Sequence, residues 1–146
     1  MALARPGEER KKRRDARRGT RNLISLLRTA RFLVRVVCGD LLKEMYEDTE
    51  LVDELGKAIG KRGLRVVVLV GPAHDHNTAE KLRTIGCIVV ELKTRPLVHY
   101  AIGDLERVRL EGIHREGEPI PANSVLRRGV RTASYLSEQF SDLYNS

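Results

Sequence analysis

Aromatic side chains are scarce in this sequence: tryptophan is absent, and four tyrosines and two phenylalanines complete the set. None of them is interleaved with the basic residues near the N-terminus, so that region has no platform on which nucleobases could stack. Cysteine is rarer still. Cys38 and Cys87 each lie inside or beside an apolar run, which reads as two small buried hydrophobes in a reducing compartment rather than a disulfide or a thiolate metal site. Long apolar runs are missing. The longest, Val66 to Val70, falls far short of the ~20 residues of a spanning helix, and the first thirty residues contain no stretch resembling a secretion signal. No membrane span and a cytoplasmic location are the expectations. Neither GxGxxG nor a Walker loop occurs, so nucleotide binding by those routes has no support and no cofactor is expected.

What is abundant is positive charge, and it is segregated. Residues 1–22 hold nine basic residues against three acidic ones, six of the seven net positive charges of the 146-residue chain. The remainder is nearly neutral, so the high pI describes a tail rather than a basic fold. The expected organisation is a basic, flexible or partly helical arm over residues 1–22 and one α/β domain over 23–146, long enough to bury a full core. In the arm, Arg10, Lys11, Lys12, Arg13, Arg14, Arg17 and Arg18 are the candidate nucleic-acid contacts. A cationic arm binds phosphate polymers by counterion release without reading sequence, and can equally be a solvated extension.

Along the domain, Thr20 is placed to cap a helix with Leu23, Ile24, Leu26, Leu27 and Ala30 on one face. A β-branched run within Arg31 to Gly39 has the length of a buried strand. Asp40 could cap a short helix carrying Leu41, Leu42, Met45 and Tyr46. A longer helix starts near Asp48 or Thr49 and closes on Gly60 and Gly63. Leu64 to Val70 reads as a central strand, Thr78 to Ile85 as a short helix, and Cys87 to Leu92 as a third strand. This alternation calls for parallel pairing with right-handed crossovers. Val125, Leu126, Val130, Ala133, Leu136, Phe140 and Leu143 recur at helical spacing and predict a closing amphipathic helix.

Between these parts lies Thr94 to Gly112. Alternation puts His99, Ala101 and Gly103 on one side of a short strand, a turn at Gly103–Asp104, and a returning strand in which Arg107 and Arg109 present charge beside the histidine. His99 is thereby expected to point away from the apolar face.

From about Ala30 onward the chain resembles one half of the phospholipase D superfamily fold, a helix-covered mixed sheet. The matching pieces are FLVRVVCGDLLKEMYED, KRGLRVVVLVGP, IGCIVVEL, VHYAIGDLERVRLEG at the signature position, and SYLSEQFSDLY as the last helix. That family's signature is HxKxxxxD. His99 stands at its histidine position, but Ala101 replaces the lysine and Glu106 the aspartate, and the downstream GSxN-type segment reads GIHREG. The resemblance implies a histidine that attacks phosphorus, with a second copy, often from a dimer partner, protonating the leaving group. Such chemistry needs a basic imidazole and a cation on the non-bridging oxygens. Ala101 removes that cation, and an arginine at Arg107 or Arg109 has a different reach and shape.

Three roles for His99 therefore stand side by side: catalytic nucleophile, retained anion ligand with Arg107, Arg109 and His114, or a strand histidine satisfied locally. His74 and His76 flank Asp75 on a loop, yet a metal site needs more convergent ligands than this pair supplies, and none is expected. The expected function is a noncatalytic binding or regulatory module for a phosphate-containing ligand, above all nucleic acid, in a homodimer. The alternatives are a phosphodiesterase or nuclease acting through His99, and a protein-interaction subunit.

Overall fold

The computed structural model describes residues 6–40, 46–96, 98–110 and 125–146. The elements in order are α1 (Pro6–Thr29), β1 (Leu33–Cys38), α2 (Thr49–Arg62), β2 (Arg65–Val70), α3 (His76–Ile85), β3 (Ile88–Glu91), β4 (Tyr100–Gly103), β5 (Arg107–Leu110), β6 (Val125–Arg128) and α4 (Val130–Tyr144). The predicted helix at Asp40 to Tyr46 falls mostly on residues 41–45, outside the described residues.

The six strands form one sheet in the order β3-β2-β1-β4-β5-β6. β1, β2 and β3 run parallel, as the strand–helix alternation predicts, and β4 turns back antiparallel against β1 with Val36 opposite Ala101. The hairpin does join the sheet, and it does so in the interior. β2 is flanked on both sides but lies one strand from the edge, while β1 and β4 hold the middle.

Both faces of this sheet are covered. On one, Leu26 and Leu27 of α1, Leu51 and Leu55 of α2 and Leu82 of α3 pack on Val34, Val36, Val66 and Val68. On the other, Ala133, Leu136 and Phe140 of α4 pack on Val37, Leu69, Tyr100, Ile102 and Val108. Each fully buried leucine stabilises the fold by roughly 2 kcal/mol, so the stretch from Leu23 to Ala30 anchors α1 firmly. Both cysteines are free and buried, and burial pushes the Cys87 thiol up to about 12.

Three boundaries differ from the sequence reading. Thr20 sits inside α1, which begins at Pro6, where proline and the following Glu8 and Glu9 suit a helix start. The cap of α3 is Asp75, whose carboxylate accepts from the N–H groups of Asn77 and Thr78. Val125 and Leu126 belong to β6, paired with β5, and the closing helix starts only at Val130. Asp48 and Gly63 cap α2 as expected, the latter in the left-handed conformation with φ 68°.

The direction of α1 decides where its charge lies. The helix ends beside the start of β1, where Leu26 and Ala30 meet Gly103, so its basic N-terminal turns lead toward the opposite end of the sheet, where β1 finishes. His99 stands at that end.

Candidate functional site

β1 and β2 both finish in glycine, and the chain uses the missing side chains for close approach. The Gly71 N–H donates to the Gly39 carbonyl at 2.9 Å, and a Cβ on Gly71 would stand 2.6 Å from that oxygen. A Cβ on Gly39 would in turn stand 2.9 Å from both Nε2 of His99 and Nε of Arg95. Strand-end glycines thus let an imidazole and a guanidinium close over the backbone.

His99 is 5% exposed, and its Nε2 accepts the Gly39 N–H at 3.0 Å. That bond fixes Nε2 as the acceptor and leaves the ring proton to Nδ1. Arg95 pairs with Asp40 at 3.4 Å, with the carboxylate about a third exposed at the rim. Behind them His74, also 5% exposed, donates from Nδ1 to the Gly71 carbonyl at 2.8 Å. Its ring meets that of His76 edge-on, centroids 4.4 Å apart. Among the described residues no three histidines, cysteines or carboxylates stand where they could hold a metal ion.

The predicted polar strip is not there. β4 has helices over both faces, so His99, Ala101 and Arg109 are all buried, Ala101 completely. The small residues Ala101 and Gly103, read from alternation as sharing the His99 side of the strand, make room for α1: a Cβ on Gly103 would stand 2.9 Å from Cδ1 of Leu26. Arg109 is 4% exposed and in register with Ala101, so it shares the His99 face one step along the strand. Arg107 is in register with Gly103 and Arg128, at the far end of β4, about 13 Å along the strand from His99. It does not join the histidine. Glu106 is exposed in the turn, while the carboxylate that works there is Asp104, two residues earlier. His114 and the arm side chains of Arg10, Lys11, Lys12, Arg13, Arg14, Arg17 and Arg18 lie outside the described residues, although the arm backbone from Pro6 is part of α1.

Sequence reasoning passed over Arg95 and treated Asp40 only as a helix cap. The available signal was the pair Gly39–Asp40 and Gly71–Pro72, two parallel strands ending in glycine side by side, which marks a close approach at the strand ends where α/β sheets bind ligands. Chemically, the cation of the cluster is Arg95, which is paired with Asp40, and the Gly39 and Gly71 amides that could cradle phosphate are already bonded within the protein.

No family model and no curated protein matches the chain. Solved structures do. TrmBL2, described as an archaeal chromatin protein that shows a novel mode of DNA binding, superimposes with a TM-score of 0.63 at 16% identity over 89% of this chain and 50% of its own. The chain thus spans half of TrmBL2. NucT from Helicobacter pylori superimposes with a TM-score of 0.60 at 18% identity, covering 90% of this chain and 91% of NucT. At these identities the likeness is one of fold, and the fold is an α/β mixed sheet consistent with a phospholipase D-like half-domain.

Proposed function

We propose that this chain is a noncatalytic phospholipase D-like module that binds nucleic acid, acting as a cytoplasmic homodimer. The observation that carries the noncatalytic part is the bond from the Gly39 N–H to Nε2 of His99 inside a site that is 5% exposed. An imidazole nitrogen that accepts a buried backbone amide has no lone pair to offer phosphorus, and freeing it would leave that amide unsatisfied, at about 1–3 kcal/mol. Ala101, where the signature has lysine, lies in the core. The nucleic-acid part is supported by the nine cations of residues 1–22, by the direction of α1 toward the His99 end, and by the DNA binding stated for TrmBL2. Among the described residues no helix is long and apolar enough to cross a membrane.

One observation favours a phosphodiesterase instead: Arg95 closes on the same point above Gly39 as His99, and could supply the cation that Ala101 lacks. Asp40 already occupies that guanidinium. Assays with labelled duplex and single-stranded oligonucleotides, read for both binding and cleavage in chelator, separate the two readings. Wild-type and His99→Gln proteins are expected to bind alike and to cleave nothing. Metal-free cleavage by the wild type that disappears in His99→Gln would establish the enzyme and overturn the noncatalytic reading. Absence of binding in the wild type would overturn both.

A further inference from the structure

The end of the sheet away from His99 carries features that neither the arm nor the histidine uses. Phe32, just before β1, is 74% exposed, the most exposed large apolar side chain among the described residues. It is flanked by exposed arginines: Arg31 precedes it, and the Arg65 N–H donates to the Phe32 carbonyl at 3.0 Å. Arg107 and Arg128 are opposite each other at the same end of the sheet, on the face that α1 covers rather than the face of Arg65, and Arg131 follows in the first turn of α4. Against Arg31, Arg65, Arg107, Arg128 and Arg131 stand, among the described residues, the exposed acids Glu106, Glu138 and Asp142. The Asp104 carboxylate is consumed by the backbone of residues 31–33.

Arg65 also lines an open groove of about 300 Å³ between the C-terminal half of α4 and the starts of β1, β2 and β3. Its floor includes Val67 and Phe140, and its rim has Ile88 and Tyr144, 42% and 52% exposed. Arg35 forms one wall. Its guanidinium lies 5.7 Å from the Phe140 ring centre, and its Nη2 donates to the Asp104 carbonyl and to Ser137 Oγ. Its Nε is buried with no hydrogen-bond partner among the described residues, a donor that a bound ligand could use.

We propose that this sheet end is a second nucleic-acid surface, specific for single strands, in which Phe32 stacks on one base, the groove beside Tyr144 receives another, and Arg65 between them takes the backbone phosphate. The proposal rests on the nucleic-acid reading above. Several cations with few acids fit a polyanion, and an aromatic ring held out in water among arginines fits an unpaired base, which offers both a π face and a phosphate. A paired base offers its face only at the cost of unstacking, so duplex should use this end poorly.

The test is binding of a labelled twelve-residue oligo-dT, and of a duplex of the same length, to the full chain. The variants are Phe32→Ala, Arg65→Ala and Tyr144→Ala, with Tyr135→Ala as control. Tyr135 is 66% exposed on the same helix and does not line the groove. Phe32→Ala and Tyr144→Ala should each weaken single-strand binding roughly fivefold or more, leave duplex binding within twofold, and leave Tyr135→Ala at wild type. Arg65→Ala should flatten the salt dependence by about 0.7 in log–log slope. If the wild type binds oligo-dT and all three variants match it, or Tyr135→Ala falls as far as they do, this surface is wrong while the arm reading stands. If the wild type binds neither oligonucleotide, both fall together.

Discussion

At Asp104 a single carboxylate accepts the backbone N–H groups of Arg31, Phe32 and Leu33, at 2.9 to 3.0 Å, across more than seventy residues of sequence. Its backbone is left-handed, with φ 52°, a conformation that aspartate and asparagine tolerate better than most residues. Burial alone would raise this carboxyl, but the three N–H bonds outweigh it and hold it below its ordinary value. The charged form is therefore favoured in the fold. Its stabilisation is complete above the ordinary carboxylate pKa, about 3.9, and is lost as pH falls through the lower folded value. Asp104→Ala should cost about 2 kcal/mol near neutrality. Asp104→Asn, which keeps the turn and one acceptor oxygen, should cost less. Urea denaturation at pH 7 and pH 3 should show the gap between wild type and Asp104→Asn shrinking in acid, and an unchanged gap would mean that the carboxylate charge contributes nothing. The turn at Gly103–Asp104 was legible from sequence. The partners of its carboxylate were not, because nothing local in residues 31–33 announces where their N–H groups will point.

Among the elements, legibility followed the strength of the pattern. β1, apolar but for Arg35, and β2, apolar after Arg65, are separated by a capped amphipathic helix, and their parallel pairing could be read directly. β6 could not, since Val125 and Leu126 also fit the helical spacing of Val130 and Ala133, and only pairing with β5 decides between them. The polar face predicted for β4 failed for a related reason: alternation reports which residues share a side, not whether a helix covers that side. Ala101 and Gly103 are small because α1 lies against them. Two glycines turn this close packing into a prediction. At Gly71 a Cβ would meet the carbonyl oxygen of Gly39, a backbone atom held by the sheet, whereas at Gly103 it would meet the end of a leucine side chain. Gly71→Ala is therefore expected to cost about 2–3 kcal/mol, and Gly103→Ala about 1 kcal/mol. Chemical denaturation of the two variants measures the order, and a costlier Gly103→Ala would show that α1 is held more rigidly than the strand ends.

For the whole molecule, the decisive feature is that charge and core are separated along α1. The last turns of this 24-residue helix are anchored by Leu23, Ile24, Leu26 and Leu27, while its first turns carry most of the chain's net charge. A helix of that length spans about 36 Å, longer than the sheet it crosses, so the arm is an extension of a core element rather than a separately tethered tail. On the nucleic-acid reading proposed above, nearly neutral surroundings make the arm the expected main source of duplex affinity, and a purely electrostatic source has a measurable signature. If about five arm cations contact phosphates, the log–log salt slope for duplex binding should be near −4.5. Replacing Arg13, Arg14, Arg17 and Arg18 with glutamine in the full chain removes four of them and should leave a slope near −1. Glutamine keeps helix propensity close to that of arginine, so loss of the helix is not a competing explanation, and circular dichroism of the variant checks it. A slope unchanged by the four substitutions would move duplex binding to the domain itself, with Arg95 beside His99 as the first cation to substitute next.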